Sequence, residues 1–468
     1  MGDTNKTESL LLVGLTVLAI LIVGCWWHVS QSRAAAQKQQ VAETIRRLAA
    51  DGEPIDVAGL RRKWNEVRPT DPGTSWAKAF AAYAAVPPPT TDLPFVGSRF
   101  VGSLFVSESK LADPDCVAQC RDYLAANSSA LRLFHNAAHT EETPPPRYMG
   151  RRAFSLLRLH VAISAMDENW EAVCRGLVTQ LTLLKLSDNT DCTQWPARVG
   201  LSRVLAQAVY FDIIQYCPQI PRPLLASVAE ALEGADYLGG YCQELRAARV
   251  SGILVFTDQA EAKAQFEWNI REAAMEDKES LTLWQQLDLH KAGLADNFDL
   301  YLEIIDSLLD ATESPLHELL PLSQRFARDA RLESTSANTV RILVVDRNWD
   351  EDRNDEFLNY PLNPRGTVSV IARQSLCRLA IAAIQFYHDH HRWPMPSDLV
   401  PDYLAKVPVD PYSGRDLLLR EVGDRLRLYS VGHNCLDDDG AAGQDVDWWY
   451  WDGTERDLVV DLSPPKSE

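Results

Sequence analysis

The feature that most constrains this chain is an uncharged apolar stretch at residues 10–27, LLLVGLTVLAILIVGCWW. At 1.5 Å per residue, a helix of this length measures about 27 Å, enough to cross the hydrocarbon core of a bilayer. Trp26 and Trp27 stand where aromatic residues of a membrane interface are expected. The sequence therefore predicts a short tail at residues 1–9 and a single transmembrane anchor at residues 10–27, with the lipid bilayer as its partner.

A cleaved signal peptide is the alternative interpretation of this stretch. The first nine residues, MGDTNKTES, lean acidic, whereas the start of a signal peptide is basic. The nearest small-residue cleavage pattern, SRAAAQ, does not follow the tryptophans directly. An uncleaved anchor is therefore favoured.

The charges around the stretch leave its orientation open. Lys6 precedes it, and four cations follow it: Arg33, Lys38, Arg46 and Arg47. The positive-inside rule places the large C-terminal part in the cytoplasm. A short N-terminal tail before a single span, however, usually stays inside while the rest of the chain is exported.

The overall charge argues against one class of partner. The chain has 468 residues, which predicts two or three domains, and its formal net charge is -19. Such a surface repels phosphate backbones, and the sequence has no basic stripe to compensate. We therefore expect no nucleic-acid binding.

The region after the anchor is predicted to be mainly α-helical, ending in a small α/β domain with an antiparallel sheet. The predicted divisions are a helical stalk and connector at 28–110, an α-helical domain at 111–345, a charged linker at 346–365 and the C-terminal domain at 366–468. Residues 151–188 carry apolar side chains at helical spacing on both sides of a polar turn, Asp167 to Asn169. This pattern predicts an αα-hairpin.

The C-terminal domain is predicted to hold one strong amphipathic helix, at 368–391. The predicted buried face consists of Val368, Ala372, Leu376, Leu379, Ala383 and Phe386. Two later segments, 417–422 and 425–432, predict strands that pair across Gly423 and Asp424, because these residue types suit a tight hairpin.

Several short motifs in this domain occur in a family-specific order. They are Phe386-Tyr387, Arg392-Trp393-Pro394, Tyr403-Leu404, Val407-Pro408-x-Asp410-Pro411-Tyr412 and Leu428-Tyr429-Ser430-x-Gly432, followed by an acid-glycine loop. Together they make residues 380–447 resemble the soluble head of the major pseudopilin, protein G, of bacterial type II secretion. The resemblance implies a pseudopilin-like α/β fold for this part of the chain.

The same resemblance implies a calcium site in the acid-glycine loop. Its candidate ligands, carried over by position, are Asn434, Asp437, Asp438, Asp445 and Asp447. Hard oxygen donors on a loop suit calcium, which accepts six to eight ligands in irregular geometry. The alternative is a solvated turn without an ion, and the matching motifs around the loop favour calcium.

Other features depart from a pilin subunit. The head helix begins more than three hundred residues after the span, and the span lacks the glycine-phenylalanine processing pair and the glutamate that follows it. We therefore expect that this chain does not enter a pseudopilus. Almost the whole chain also resembles a family of membrane-anchored bacterial proteins that carries no established activity.

Three further patterns are weak. The run His388 to His391 is a possible metal pattern, but histidines at a helix end also favour the helix dipole. His317-Glu318 lacks the second histidine of a zinc-peptidase helix, since position 321 is Pro. Cys116 and Cys120 are four residues apart, a weak metal or disulfide signal that buried apolar cysteines also produce.

The sequence thus predicts a membrane-anchored binding or assembly module rather than an enzyme. The span and the exported head of the resembling family predict a bacterial cytoplasmic membrane protein with residues 28–468 outside the cytoplasm, where an envelope protein is a possible partner. The alternative function is an envelope-polymer hydrolase with carboxylates from the helical region in a cleft. Paired carboxylates with raised pKa in a deep pocket would favour that alternative.

Overall fold

The structure is a computed structural model. It describes residues 32, 35–36, 38–56, 58–60, 62, 74–87, 93–96, 108–140, 150–187, 199–233, 237–257, 294–332, 362, 364–441 and 457–465. This part of the chain is mainly α-helical and has one small antiparallel sheet, as the sequence predicts. The predicted tail and anchor, residues 1–27, lie outside the described residues, so the anchor stays a prediction.

The helices are numbered here in chain order. They are α1 (38–50), α2 (Ser75–Ala84), α3 (Glu108–Leu111), α4 (Pro114–Ala126), α5 (Ser128–Ala137), α6 (Gly150–Met166), α7 (Trp170–Ser187), α8 (Val199–Tyr216), α9 (Arg222–Glu233), α10 (Tyr237–Thr257), α11 (Leu294–Ala311), α12 (Leu316–Leu332), α13 (Arg365–His390) and α14 (Pro396–Leu399). A short 3-10 helix, Cys217–Gln219, follows α8. The strands are β1 (Leu418–Val422), β2 (Arg425–Ser430) and β3 (Leu458–Leu462).

The chain packs into two compact units, neither of them continuous in sequence. Of the residues that the structure describes, those within 1–59, 248–306 and 326–359 form the first unit, and those within 60–247, 307–325 and 360–468 form the second. The second unit therefore contains parts of the predicted α-helical domain together with the described residues of the predicted C-terminal domain. The domain divisions given above from the sequence stay a prediction.

In the first unit, a buried arginine joins two segments that are distant in sequence. The guanidinium of Arg249 donates to Glu53 at 2.7 Å and to Asp306 at 2.5 Å. Tyr301 is also buried, and its hydroxyl donates to the carbonyl of Ala248 at 2.7 Å. These bonds fix the end of α1 and the facing turns of α10 and α11 to one another.

In the second unit, the predicted αα-hairpin is present as α6 and α7. The polar turn lies at residues 167–169, where predicted, and the backbone N–H of Asn169 donates to the carbonyl of Ser164. Apolar side chains of both helices are buried, among them Leu157 and Leu177 at 0% exposure. The helices approach closely at Gly176, where a Cβ would lie 2.5 Å from Cγ2 of Val161.

Helix α13 forms the centre of the second unit. It packs against α8, α9 and the sheet, and all six side chains of the predicted buried face are buried. Residues on its other sides, such as Val370, Ala380 and Ile381, are buried as well. The prediction of an amphipathic helix with one exposed face was therefore wrong: α13 is enclosed on nearly all sides.

Within the described residues, α13 is also the one helix long and apolar enough to cross a membrane. However, 78% of its most apolar window is buried inside the protein. A helix that is hydrophobic all round and covered by protein is a core helix.

The sheet has the order β1-β2-β3, with both pairs antiparallel. The β1–β2 hairpin turns through Gly423 and Asp424, as predicted, with Val422 opposite Arg425 and Gly423 at φ +66°. Leu426 and Leu428 of β2 are buried, and they pair with Leu462 and Val460 of β3. Strand alternation thus directs one face of the sheet into the core that surrounds α13.

Candidate functional site

The acid loop, defined here as residues 433–441, follows β2 directly. It begins after Gly432, at φ +66°, and it includes three further residues with positive φ: Cys435, Asp439 and Gly440. Asp437 and Asp439 are exposed, whereas Asp438 is partly buried. The loop is therefore a tightly folded turn with acidic side chains at its surface.

Three of the five predicted calcium ligands lie in this described loop, and two of them are in contact. The amide Nδ2 of Asn434 donates to Oδ2 of Asp438 at 2.9 Å, and Oδ1 of Asn434 accepts the backbone N–H of Leu436 at 2.9 Å. Oδ1 of Asp437 accepts the backbone N–H of Asp439 at 2.9 Å. The other two predicted ligands, Asp445 and Asp447, lie outside the described residues.

A further acid, Asp457, closes the loop from the start of β3. It is 4% exposed, and its carboxylate accepts backbone N–H groups from Gly440 at 2.7 Å and from Asp438 at 3.4 Å. Burial raises the pKa of Asp457, and the charges of Asp438 and Asp437 raise it further. The turn therefore holds one carboxylate, that of Asp457, that the predicted ligand set did not include.

Sequence reasoning missed Asp457, and little in the sequence pointed to it. The residue stands 17 positions after Gly440 along the chain. Its sequence context, a single acid before the apolar run LVVDL, is ordinary for the start of a strand. Only the antiparallel return of β3 beside β2 brings its carboxylate to the loop.

Two arginines hold the loop from the sheet. Arg427 donates to the carbonyl of Gly440 at 3.0 Å and makes a two-pronged ion pair with Asp461 at 2.8 Å. Arg420 donates to the carbonyl of Asp439 at 3.3 Å. A Cβ at Gly440 would lie 2.9 Å from Cδ of Arg427, so this position also needs glycine for close approach. Asp457 thus takes the loop's N–H groups while the arginines take its carbonyl groups.

The described oxygens supply only part of a calcium shell. Among the residues that the structure describes, no group of three His, Cys, Asp or Glu side chains is arranged to hold a metal. Asn434 and Asp437 already accept backbone N–H groups with one oxygen each. Calcium coordination would therefore need Asp445 and Asp447, so the five-residue ligand set stays a prediction.

A second acid, Asp410, organises the turn before the sheet. It is 1% exposed, and its two oxygens accept four hydrogen bonds. The donors are Tyr412 N at 3.1 Å, Ser413 Oγ at 3.0 Å, Ser430 Oγ at 2.7 Å and Val431 N at 3.1 Å. This acid belongs to the motif that carries the resemblance, and its role is to tie residues 410–413 to the end of β2.

A buried polar chain lies beside Asp410. Arg373 of α13 donates to the Oγ of Ser369, Ser369 hydrogen-bonds to Tyr412, and the Tyr412 hydroxyl lies 3.4 Å from Nε2 of His433. Burial raises the pKa of Tyr412, while burial and the charges of Arg365 and Arg373 lower the pKa of His433 to about 3. Sequence analysis identified none of these four side chains as a group, since they come from three separate segments.

The weaker patterns have structural roles. Asp389 forms an ion pair with Arg222 of α9 at 2.8 Å and accepts from the Tyr403 hydroxyl at 2.7 Å. His391 adopts a left-handed conformation, φ 55°, at the C-terminal end of α13, in agreement with the helix-end interpretation. Cys120 is buried and Cys116 is partly buried, and both are free thiols.

Comparison with known proteins found no relative of this chain. No family model matches the chain, no curated protein matches it, and no solved structure matches it.

Proposed function

We propose that the chain is a membrane-anchored binding or assembly module whose pseudopilin-like C-terminal part is ordered by calcium at the acid loop. The observation that carries this proposal is the acidic turn itself. Asp437 and Asp438 lie close enough to the buried carboxylate of Asp457 for their charges to raise its pKa. A cation at this turn would relieve that repulsion, and oxygen ligands on a loop favour calcium.

The pseudopilin-like assignment is supported by the roles of the shared motif residues. Trp393 packs against Tyr387, with ring centroids 4.6 Å apart, and its indole N–H donates to the carbonyl of Asp424 in the hairpin turn at 2.8 Å. Asp410 joins its own turn to Ser430 and Val431. The motifs that carry the resemblance are thus the residues that attach α13 and the sheet to each other.

Two features support an assembly role that is not that of a pilus subunit. Helix α13 is already covered by α8 and α9, so it is not available as a free helix for lateral packing. Gln374 donates to the carbonyl of Leu232, and Arg378 pairs with Glu233, both across the α9–α13 contact. The alternative is a hydrolase with paired acids in the helical region; among the residues that the structure describes, the carboxylate with a raised pKa is that of Asp457, at the sheet.

We further propose that residues 10–27 anchor the chain in the bacterial cytoplasmic membrane with residues 28–468 outside. Millimolar calcium is more available there, and an exposed acidic loop there is free to meet an envelope protein. A fusion of a periplasm-active reporter to the C-terminus tests this orientation. An inactive fusion on a stably expressed chain would contradict it.

The calcium proposal is tested on the full chain, because α13 shares its core with α8 and α9. Calcium should raise the melting temperature of the solubilised protein by several degrees over the value in chelator, in a saturable way, since a ligand that binds only the folded state stabilises it. The double variant D445A/D447A should lose this response. The matched control E421Q/D424N, which removes two exposed acids from the β1–β2 hairpin, should keep it.

Two outcomes would count against calcium. A melting temperature that is the same in calcium and in chelator would mean that the acids are only solvated charge. An equal loss of response in E421Q/D424N and D445A/D447A would mean that calcium acts through general screening of the acidic surface.

A further inference from the structure

Two thiols of α4 lie on one face of that helix. Cys116 and Cys120 are four residues apart within Pro114–Ala126, and side chains at this spacing are neighbours on a helix. The two thiols are hydrogen-bonded to each other, and both are free. Two sulfur atoms therefore meet at one point, which gives the pair a chemistry that neither thiol has alone.

One member of the pair is buried, and the other is accessible. Cys120 is 0% exposed and belongs to the buried side of α4, together with Val117 and Leu124. Cys116 is partly exposed. A small molecule can therefore reach the sulfur of Cys116 from solvent and meets that of Cys120 directly behind it.

The spacing of the pair does not suit a disulfide. Side chains at positions i and i+4 of a helix have Cβ atoms about 5–6 Å apart. A disulfide brings its two Cβ atoms to about 3.5–4.5 Å. Closing a disulfide between Cys116 and Cys120 would distort the first turns of α4, whereas a third atom placed between the two sulfurs would span the gap.

The burial of Cys120 restricts which atom can bridge the pair. Burial, followed by the charge and the hydrogen bond of Cys116, raises the pKa of Cys120 to about 12, so a net negative charge is disfavoured here. Two thiolates on Cu(I) would leave such a charge. Zinc requires four ligands, and among the residues that the structure describes no group of three His, Cys, Asp or Glu side chains is arranged to hold a metal. Trivalent arsenic binds two thiolates and one further group in a neutral product, so it meets both restrictions.

We propose that Cys116 and Cys120 form a binding site for trivalent arsenicals, in which the arsenic atom bridges the two sulfurs. Two As–S bonds form while As–O bonds break, and the two thiol protons leave with the arsenical oxygen as water. The arsenic stays trivalent, so the exchange needs neither an oxidant nor a reductant. The bridge would span one turn of α4, and it depends neither on the acid loop nor on the membrane anchor.

The probe is phenylarsine oxide, added under native conditions to the reduced, solubilised full chain after small thiols are removed. Native mass spectrometry should show one phenylarsine group per chain, with the loss of one water. The bridge should also protect Cys116 from alkylation by N-ethylmaleimide. Dimercaptopropanol should reverse both effects, because a small dithiol competes for the arsenic.

Single substitutions separate a two-thiol site from reaction at one thiol. C116S and C120A each leave one sulfur, so the second As–S bond, which forms within the same complex, is lost. We expect each variant to weaken the apparent affinity for phenylarsine oxide at least tenfold. The matched control is C242A: Cys242 is also a partly buried free thiol, but it contacts the hydroxyl of Thr312 instead of a second thiol. C242A should bind as the wild type does.

The site is ruled out if the wild-type chain takes up no phenylarsine group although alkylation in denaturant shows both thiols to be free. Binding by C116S and C120A that is as tight as in the wild type would overturn the proposal as well. So would a loss of binding in C242A as large as in those two variants. If C120A fails to fold, C116S, at the partly exposed position, and the wild-type titration still decide.

Discussion

The carboxylate of Asp212 accepts three hydrogen bonds from the guanidinium of Arg158, at 2.9 to 3.1 Å, in the interior of the helical region. Both side chains are almost completely buried, at 3% and 5% exposure. Arg158 also lies over the ring of Phe95, 4.6 Å from its centroid. This ion pair joins α6 to α8, and each charge offsets part of the cost of burying the other.

Substitution of Asp212 by Asn should therefore be strongly destabilising, because it removes the negative charge that accepts three hydrogen bonds from the buried Arg158 guanidinium. We expect a loss of about 3–5 kcal/mol, measured as a shift in the midpoint of urea unfolding. The double variant R158M/D212L, which removes both charges, should recover much of that loss. A matched control is D167N, which breaks the exposed Arg121–Asp167 pair and should cost less than about 1 kcal/mol. Equal losses for D212N and D167N would contradict this account.

Acid should destabilise the helical region through two neighbouring histidines. Burial, together with the charge of Arg175, lowers the pKa of His135 to about 3 and that of His160 to about 4. Their rings lie 5.3 Å apart, and Nδ1 of His135 hydrogen-bonds to Thr179 at 2.8 Å. Both groups bind protons more readily in the unfolded chain, whose reference pKa is 6.5.

Because the pKa of both histidines is lower in the folded chain than in the unfolded chain, protonation favours unfolding. Stability from the neutral histidines is fully present above pH 6.5, and it is lost as the pH falls from there toward 4. Each histidine should contribute a loss of about 1–2 kcal/mol between pH 7 and pH 5. Urea unfolding of the wild type and of His160→Gln checks this, since the variant should show the shallower dependence on pH. A variant as steep as the wild type would mean that other groups control acid unfolding.

Local patterns predicted the helices and strands well, because helical and strand periodicities depend on neighbours in sequence. The α6–α7 hairpin and the Gly423-Asp424 turn are correct in position for this reason. The enclosure of α13 was not predictable in the same way. The helix packs against α8 and α9, whose residues stand more than a hundred positions earlier.

The acid loop and the polar chain to His433 also depend on contacts between residues that are distant in sequence. The acid loop is visible in sequence because its acids are consecutive, but Asp457 acts on it only through the pairing of β3 with β2. The polar chain to His433 combines α13, the turn at Tyr412 and the segment after β2. Each member alone has the appearance of an ordinary polar residue, so only the three-dimensional arrangement reveals the group.

Gly176 should not tolerate a larger side chain. A Cβ there would lie 2.5 Å from Cγ2 of Val161, and Val161 is buried with a stiff branched side chain. Alanine would favour the helix intrinsically, yet the overlap should make G176A about 1–3 kcal/mol less stable. The double variant G176A/V161A should be more stable than the sum of the two single changes predicts. Strict additivity of the two single effects would show that the helices separate freely at this point.

Asp410 should be more sensitive to loss of charge than its small side chain implies. Oδ1 accepts from a backbone N–H of Tyr412 and a hydroxyl of Ser430, and Oδ2 accepts from a backbone N–H of Val431 and a hydroxyl of Ser413. Asparagine would place an NH2 group against one of these pairs. The hydroxyl can rotate to accept, but the backbone N–H cannot, so one buried donor would face another. D410N should therefore lose about 2–3 kcal/mol, nearly as much as D410A, whereas S413A and S430A should each lose about 1 kcal/mol. Thermal unfolding of the four variants would separate these effects. A D410N protein as stable as the wild type would show that the turn needs the shape of the Asp410 side chain and not its acceptor oxygens.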